Sequence, residues 1–321
     1  MGKVKKVGVL LLPFLVSLIL LFFLQFKQKI DFLSVWQFIR HSDKHLLLLA
    51  VFFTFLIYVF CYLRWRMLLH SVGVFPDEKR ILSAFSGGVF FNALPSSTIG
   101  GDVVRSIDLA KKTNKTKEVV ATVIVDRLSG FVGMMIISLV ALSLGLKIVK
   151  DKAVIFTILG LTLGLVLVLL VLFNEAIFTL VNGWMKKIKW GGRITRGILA
   201  VHEELYYFRG RKWMMAKNIC LSVIVQFIGP IASYYTAKAI GINVSVLYFF
   251  VFVPVISTIT ALPISALGLG VRDVSTVSFF GKVGVSQNAA EALSSFGFAF
   301  VALFAALGGL IYVFTLHRRR L

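Results

Sequence analysis

Three short segments pair an arginine with an acidic residue inside or beside long apolar runs. The pairs are Asp102 with Arg105, Asp126 with Arg127, and Arg272 with Asp273. An arginine binds a phosphate group through two parallel hydrogen bonds, and an ionisable group at membrane depth is a functional candidate because of its cost there. We expect these six residues to bind a phosphate-bearing substrate, while the acids balance charge in the empty site or carry a proton.

Two of these assignments have a structural alternative. Asp102 and Arg105 have the i,i+3 spacing of an ion pair that can be purely structural and lie near an interface. Arg127 can instead extend its long side chain toward the cytoplasmic face. Arg272 with Asp273 is the strongest candidate, because residues 246–271 carry no charge and the next one is Lys282.

Signatures of catalysis are absent from the sequence. It has no Walker A lysine loop, no HExxH and no Gly-x-Ser-x-Gly, and its two cysteines match no metal-ligand spacing. We therefore expect no catalytic residue, no metal and no cofactor, and a membrane enzyme is the less favoured interpretation.

The apolar runs around the arginines are long enough to cross a membrane. The chain is 58% hydrophobic and 15% charged, with a mean hydropathy of +0.91, whereas soluble domains are about a quarter charged. A helix needs about 18 or more apolar residues to cross ~30 Å of hydrocarbon. Six charge-free runs meet this length: 7–26, 46–63, 128–146, 153–173, 218–237 and 292–316. The sequence predicts an all-α polytopic membrane protein with about six transmembrane helices.

Two further apolar stretches are interrupted by proline and glycine. Residues 81–94 are too few to cross, and basic segments flank both sides of the interruption, so we expect a re-entrant hairpin open to the cytoplasm. For 246–281 we favour a hairpin from the outside, although two full crossings would have the same end points. The expected hairpin tips contain Pro95, Gly100 and Gly101 in the first and Pro263, Gly268 and Gly270 in the second.

The two hairpins belong to similar halves of the chain. A single constant shift along the sequence places Pro95 on Pro263 and Gly100 on Gly268. Each half, about 46–146 and about 215–316, then has a span, a broken hairpin and a span, with hairpins that open to opposite sides. This is the inverted-repeat pattern of secondary transporters. We expect one integral membrane domain over 1–321, with a span and a basic segment at 153–214 joining the halves.

The distribution of Lys and Arg predicts the orientation. A net charge of +21 would suggest nucleic acid for a soluble protein, but in a membrane protein Lys and Arg keep loops in the cytoplasm. With both termini inside, cytoplasmic segments hold most of the 35 Lys and Arg residues, and Arg64 is counted in the segment 64–80. The segment 174–214 is an ordinary loop or includes a helix in the headgroup plane at about 193–208. We expect lipids, anionic or phosphate-bearing, as partners, and no nucleic acid.

Three motifs resemble those of the lysylphosphatidylglycerol synthase transmembrane-region family, also called the flippase-like domain family. They are LPSSTIGGDVVRS around Asp102 and Arg105, VDRL around Asp126 and Arg127, and LPISALGLGVRD ending in Arg272 and Asp273. The resemblance covers roughly residues 10–316. It implies a bacterial or archaeal plasma-membrane protein, related to members that move lipids or lipid-linked sugars between leaflets.

The sequence departs from the family pattern at three points. Asp102 and Asp273 stand where glutamate is commoner, which keeps the charge and shortens the reach. The soluble aminoacyl-transfer domain of the bifunctional members is not in this sequence, so we do not expect lysyl-lipid synthesis.

These observations lead to one expected function and two alternatives. We expect a flippase for a phospholipid or a polyprenyl-phosphate-linked lipid, with Arg105, Arg127 and Arg272 on the headgroup. The alternatives are a proton-coupled carrier of a small anion, and a non-transporting partner of a membrane enzyme of lipid or glycan synthesis. The protein partners are not predicted.

Overall fold

A computed structural model describes residues 32–93, 100–145, 152–185, 208, 210–261 and 270–317. Within these ranges the chain forms eleven helices and no strand. The helices are α1 (Phe32–Arg40), α2 (Lys44–Ser71), α3 (Glu78–Asn92), α4 (Gly100–Thr113), α5 (Thr116–Gly145), α6 (Lys152–Phe173), α7 (Glu175–Met185), α8 (Lys212–Ala239), α9 (Val246–Ala261), α10 (Val271–Gly281) and α11 (Gln287–His317).

Five of these helices are long and apolar enough to cross a membrane: α2, α5, α6, α8 and α11. They correspond to the predicted spans 46–63, 128–146, 153–173, 218–237 and 292–316, so the all-α polytopic class is confirmed. The sixth predicted span, 7–26, lies outside the described residues.

The long helices extend beyond the apolar runs that predicted them. Asp43 caps the start of α2, because its carboxylate accepts hydrogen bonds from the backbone N–H groups of His45 and Leu46. At the other end α2 continues to Ser71 and so includes Arg64. The expectation that Arg64 belongs to a segment between spans is wrong, since its side chain is buried within the helix bundle.

Four shorter helices flank the predicted hairpin tips. Helices α3 and α4 have 15 and 14 residues, and α9 and α10 have 16 and 11. At ~1.5 Å per residue none of them reaches the ~30 Å of a full crossing. Helix α3 packs against α4, and α9 packs against α10. Among the predicted tip residues, Gly100, Gly101 and Gly270 are described, while Pro95, Pro263 and Gly268 lie outside the described residues.

The helix bounds of the first part of the chain recur in the second part. The shift that places Pro95 on Pro263 also places both ends of α2 on the ends of α8 and the start of α3 on the start of α9. The contacts cross between these parts, because α2 packs against α8, α3 against α11, and α5 against α9. Each pair of short helices therefore contacts a long helix from the other part.

Glycines allow the short helices to approach their neighbours closely. A Cβ atom on Gly101 of α4 would overlap the carbonyl oxygen of Gly88 on α3. The backbone N–H of Gly101 also donates to the Asn92 side chain at the end of α3, at 3.0 Å. A Cβ on Gly308 of α11 would lie 2.8 Å from the carbonyl oxygen of Ser86. Small residues thus hold α3 against α4 on one side and α11 on the other.

Two apolar clusters surround these contacts. One is centred on Trp65, which is fully buried among side chains of α2, α3 and α5. The other is centred on Phe249, Phe252 and Phe280, where aromatic rings of α9 and α10 pack together. Each pair of short helices therefore has its own core, and its position relative to the long helices is fixed by packing.

The Gly101 contact predicts a stability difference between two glycine substitutions. Gly101→Ala inserts a methyl group against the Gly88 backbone, and overpacking of this kind costs about 1–3 kcal/mol. Gly160→Ala on α6 is the control, because a Cβ there meets nothing within 4 Å and alanine is the better helix former by ~0.5–1 kcal/mol. Thermal unfolding in detergent should give a lower midpoint for Gly101→Ala alone. Equal midpoints for the two variants would contradict close α3–α4 packing.

Candidate anion-binding site

Five charged side chains from α2, α4 and α5 form one ion-pair network, and four of them are buried. The Nε of Arg64 donates to Asp126 at 2.7 Å, and the Nη2 of Arg105 donates to the other oxygen of Asp126 at 3.1 Å. Arg105 also contacts Asp102 at 2.9 Å, and Arg127 Nε donates to the second oxygen of Asp102 at 2.6 Å. Three arginines thus share two aspartates, which leaves one formal positive charge.

The positions of these residues on their helices place the network deep in the bundle. Asp126 is ten residues after the start of α5, and Arg64 is seven residues before the end of α2. These separations correspond to about 15 Å and about 10 Å along the helix axes. Asp102 is in the first turn of α4, where the N-terminal end of the helix favours a negative charge. The short helix α4 therefore begins at the depth of the buried charges.

Neutral side chains hold the arginines in place. Ser222 on α8 accepts a hydrogen bond from Arg64 Nη1 at 2.8 Å. The guanidinium carbon of Arg105 lies 4.8 Å from the centre of the Trp65 ring, a cation–π distance. Trp65 Nε1 in turn donates to the Thr122 hydroxyl at 3.1 Å. The Trp65 indole thus orients Arg105, and the Ser222 hydroxyl orients Arg64.

The second arginine–acid pair has a different arrangement at the start of α10. Arg272 Nε donates to the Ser294 hydroxyl at 3.1 Å, and Ser294 donates to Asp273 at 2.5 Å. The other oxygen of Asp273 accepts the backbone N–H of Gly270, which has a φ of 77° that glycine adopts easily. The Arg272 guanidinium carbon lies 5.4 Å from the Phe298 ring centre. Arg272 is 3.6 Å from Asp273, so its closest partner is neutral.

The two groups of charges meet at one cavity of about 460 Å³. Four arginines and two aspartates line it, and apolar side chains from α2, α3 and α11 complete the wall. The charged lining residues are Arg64, Arg105, Arg127, Arg272, Asp102 and Asp126. They carry a formal excess of two positive charges, and four guanidinium groups facing one space are the donor set that a phosphate group requires.

The sequence is similar to known membrane proteins. A family model for the lysylphosphatidylglycerol synthase TM region matches residues 10–309. The chain belongs to this family. One relative, a "UPF0104 membrane protein" of Methanothermobacter thermautotrophicus, is 25% identical over 282 residues, which are 79% of this chain and 80% of that protein. The family resemblance inferred from the three motifs is confirmed, and all three motifs lie inside the matched residues.

In this member of the family, five of the six predicted substrate-binding residues line the cavity. Asp273 is buried beside it and contacts Arg272. Asp102 and Arg105 do form an i,i+3 ion pair, as the structural alternative required, and both also face the cavity. Arg127 does not extend away from the cavity, because its Nε contacts Asp102. Its side chain is nevertheless 43% exposed, far more than the other two arginines of the network.

Of the tip glycines, Gly101 and Gly270 have roles that the sequence did not specify. Gly101 permits helix packing, and Gly270 gives its N–H to Asp273. Sequence reasoning also missed Arg64 and Ser222. The one signal for Arg64 in the sequence is its position directly after the apolar run 46–63.

Removing the shared carboxylate of the network should destabilise this family member strongly. Asp126→Asn keeps the size of the side chain but leaves Arg64 and Arg105 short of a buried counter-charge, and breaking a buried pair costs about 3–5 kcal/mol. The unfolding midpoint in detergent should fall well below that of the unchanged protein.

Glu78→Gln is the matched control, because it breaks the exposed pair of Glu78 with Arg66. Hydrogen bonds from Tyr62 and Arg66 lower the pKa of Glu78, so this carboxylate is ionised at neutral pH. Exposed pairs contribute little, and the midpoint should hardly change. Similar losses in both variants would contradict a special role of the buried network.

Proposed function

We propose that this protein moves a phosphate-bearing lipid, a phospholipid or a polyprenyl-phosphate-linked lipid, between the leaflets of the cell membrane. The observation that carries the proposal is the single cavity lined by Arg64, Arg105, Arg127 and Arg272. Three of these arginines come from helices of the first part of the chain and one comes from the second part. A substrate bound there would contact both parts.

The proposed architecture is an inverted repeat of two halves, each with a re-entrant hairpin. The offset shared by both ends of α2 and α8 and by the starts of α3 and α9 supports it, as do the short lengths of α3, α4, α9 and α10. With both termini in the cytoplasm, the hairpin α3–α4 opens inward and the hairpin α9–α10 opens outward. Irregular backbone at membrane depth is tolerated where it is buried in protein or lines a cavity, and residues next to both expected tips, Ala93 and Thr260, line the cavity.

The headgroup phosphate is proposed to bind between Arg127 and Arg272. Arg127 has a large exposed fraction at the cavity, and Arg272 has a neutral hydroxyl as its closest partner. Arg64 and Arg105 are held by Asp126, so they add positive electrostatic potential to the cavity rather than direct hydrogen bonds to the phosphate. A transport site must also release its substrate. The two aspartates serve this need, because they keep the excess positive charge small.

The apolar part of the cavity wall favours a lipid over a small soluble anion. Ile57, Val89, Val301 and Ala302 line the same space as the arginines. A phosphate joined to an apolar chain would place its headgroup on the guanidinium groups and its first methylene groups on this wall. A free anion would leave the apolar wall without a partner. We propose transport without covalent chemistry, because the charged groups among the described lining residues are arginines and aspartates, and both aspartates are held in ion pairs.

The proposal predicts protein-dependent lipid exchange that requires Arg272. In liposomes, the exchange of acyl-labelled phosphatidylglycerol between leaflets is measured by quenching the outer leaflet. Arg272→Ala should reduce the rate at least about tenfold, since a charge-assisted contact to phosphate is worth ~1.5–3 kcal/mol. Arg80→Ala is the control, because Arg80 is a partly exposed residue paired with Asp77 on the surface, and it should exchange at the rate of the unchanged protein.

Two further arms of this assay separate the alternatives. A labelled glycolipid without phosphate should exchange no faster than in empty liposomes. Release of entrapped inorganic phosphate without lipid exchange would instead support a small-anion carrier. If neither labelled phosphatidylglycerol nor a labelled polyprenyl phosphate exchanges above empty liposomes, the lipid-transport proposal is wrong.

A further inference from the structure

A buried glutamate on α11 has no role in the site described above. The side chain of Glu291 is in the first turns of α11, and the residue is only 6% exposed. Its Oε2 has no hydrogen-bond partner among the described residues. A buried carboxylate with an unpaired oxygen is costly unless it gains a cation or a proton. Glu291 therefore depends on the charges next to it.

The charges next to this part of α11 come from α10. Arg272 and Asp273 are both hydrogen-bonded to Ser294 of α11. Ser294, which joins Arg272 to Asp273, is three residues after Glu291 and so lies on the same face of α11. Glu291 thus lies on the face of α11 that contacts both an acid and the guanidinium group of Arg272, and that guanidinium group lines the cavity.

Other helices that pack against α11 bring no further charge to Glu291. These helices are α1, α2, α3 and α8. Among their described charged groups, some are exposed and the others contact different partners. Exposed basic residues are Arg40, Lys44, Lys79, Lys212 and Lys217. Arg80 contacts Asp77, Lys238 donates to Asn243, Arg64 contacts Asp126, and Arg66 contacts Glu78.

We propose that Glu291 is a proton-binding site that couples lipid movement to a pH gradient, with one proton carried alongside each anionic headgroup. The inference rests on the proposed lipid transport. A proton from water adds to a carboxylate oxygen of Glu291 and forms an O–H bond, which removes one negative charge beside Arg272. The guanidinium group is then shared only with Asp273 and Ser294, and it binds the phosphate of the headgroup.

Release follows the reverse order. On the other side of the membrane the O–H bond of Glu291 breaks, the proton returns to water, and the carboxylate again competes for Arg272. The headgroup loses its contact and leaves. Proton and anionic headgroup therefore move in the same direction. Glu291 is four residues, about 6 Å along the axis, from the exposed Gln287 at the start of α11, so one exchange route with water is short.

The coupling predicts an unequal lipid distribution at steady state. Liposomes with acyl-labelled phosphatidylglycerol are given a pH gradient of one unit, and the label in each leaflet is measured by quenching. With one proton per lipid, the label should accumulate in the leaflet facing the alkaline side by up to about tenfold. Accumulation should disappear when a protonophore removes the gradient, and the direction should not depend on how the protein is inserted.

Substitution of Glu291 should separate exchange from accumulation. Glu291→Gln mimics the protonated side chain and should exchange label with equal amounts in both leaflets under the same gradient. Glu118→Gln changes a carboxylate in the first turn of α5, away from the cavity lining, and should accumulate label as the unchanged protein does.

The outcomes distinguish failure of the inference from failure of the proposed function. If the unchanged protein exchanges label but distributes it equally under the gradient, or if Glu291→Gln still accumulates label, the proton site is wrong while lipid transport stands. If the unchanged protein exchanges no lipid, transport itself is wrong. Should Glu291→Gln be folded but inactive, Glu291→Asp must restore exchange and accumulation, because it again binds a proton, and its failure overturns the inference.

Discussion

The arrangement of the bundle depends on the ion pairs that Asp126 makes with Arg64 and Arg105. A charge at membrane depth costs several kcal/mol unless it is paired, and these three charges lie on three different helices, α2, α4 and α5. None of the helices can move away alone, because each movement would leave a guanidinium group or a carboxylate without its partner. The short helix α4 has no span of its own to hold it, so these pairs and its packing contacts fix its depth.

The glycine contacts and the ion pairs depend on each other. Arg105 reaches Asp126 because α4 lies directly against α3, and this approach requires Gly101 to face the Gly88 backbone. A Cβ on Gly88 would also lie 3.1 Å from the Arg105 side chain. A larger residue at either glycine would therefore displace the arginine as well as the helix. The small residues of the motif thus act mainly on the position of a charge.

The apolar runs and helix breakers predicted the long helices and the six charged candidates, because length and composition alone decide whether a helix fits a membrane. Arg64 escaped prediction for a physical reason. It is two residues from Arg66, and residues two apart lie ~200° apart around a helix. Arg64 is buried against Asp126 while Arg66 pairs with Glu78 at the surface. Only packing distinguishes them, and the sequence presents both as one basic end of a span. The burial of Glu291 is likewise a result of packing, which the sequence does not show.

The two halves differ in how firmly they hold their arginines. The shift that relates the two halves places Asp126 on Ser294, and both accept a hydrogen bond from an arginine on the neighbouring short helix. In the first half the acceptor is the carboxylate of Asp126, and in the second it is the hydroxyl of Ser294. Both hydrogen bonds have a charged donor, but only the first has a charged acceptor, which adds the attraction of opposite charges. The first half therefore holds Arg105 in a fixed place, whereas Arg272 can exchange its partner for a ligand. This difference would serve the proposed transport, because one side would keep the cavity formed while the other binds and releases the substrate.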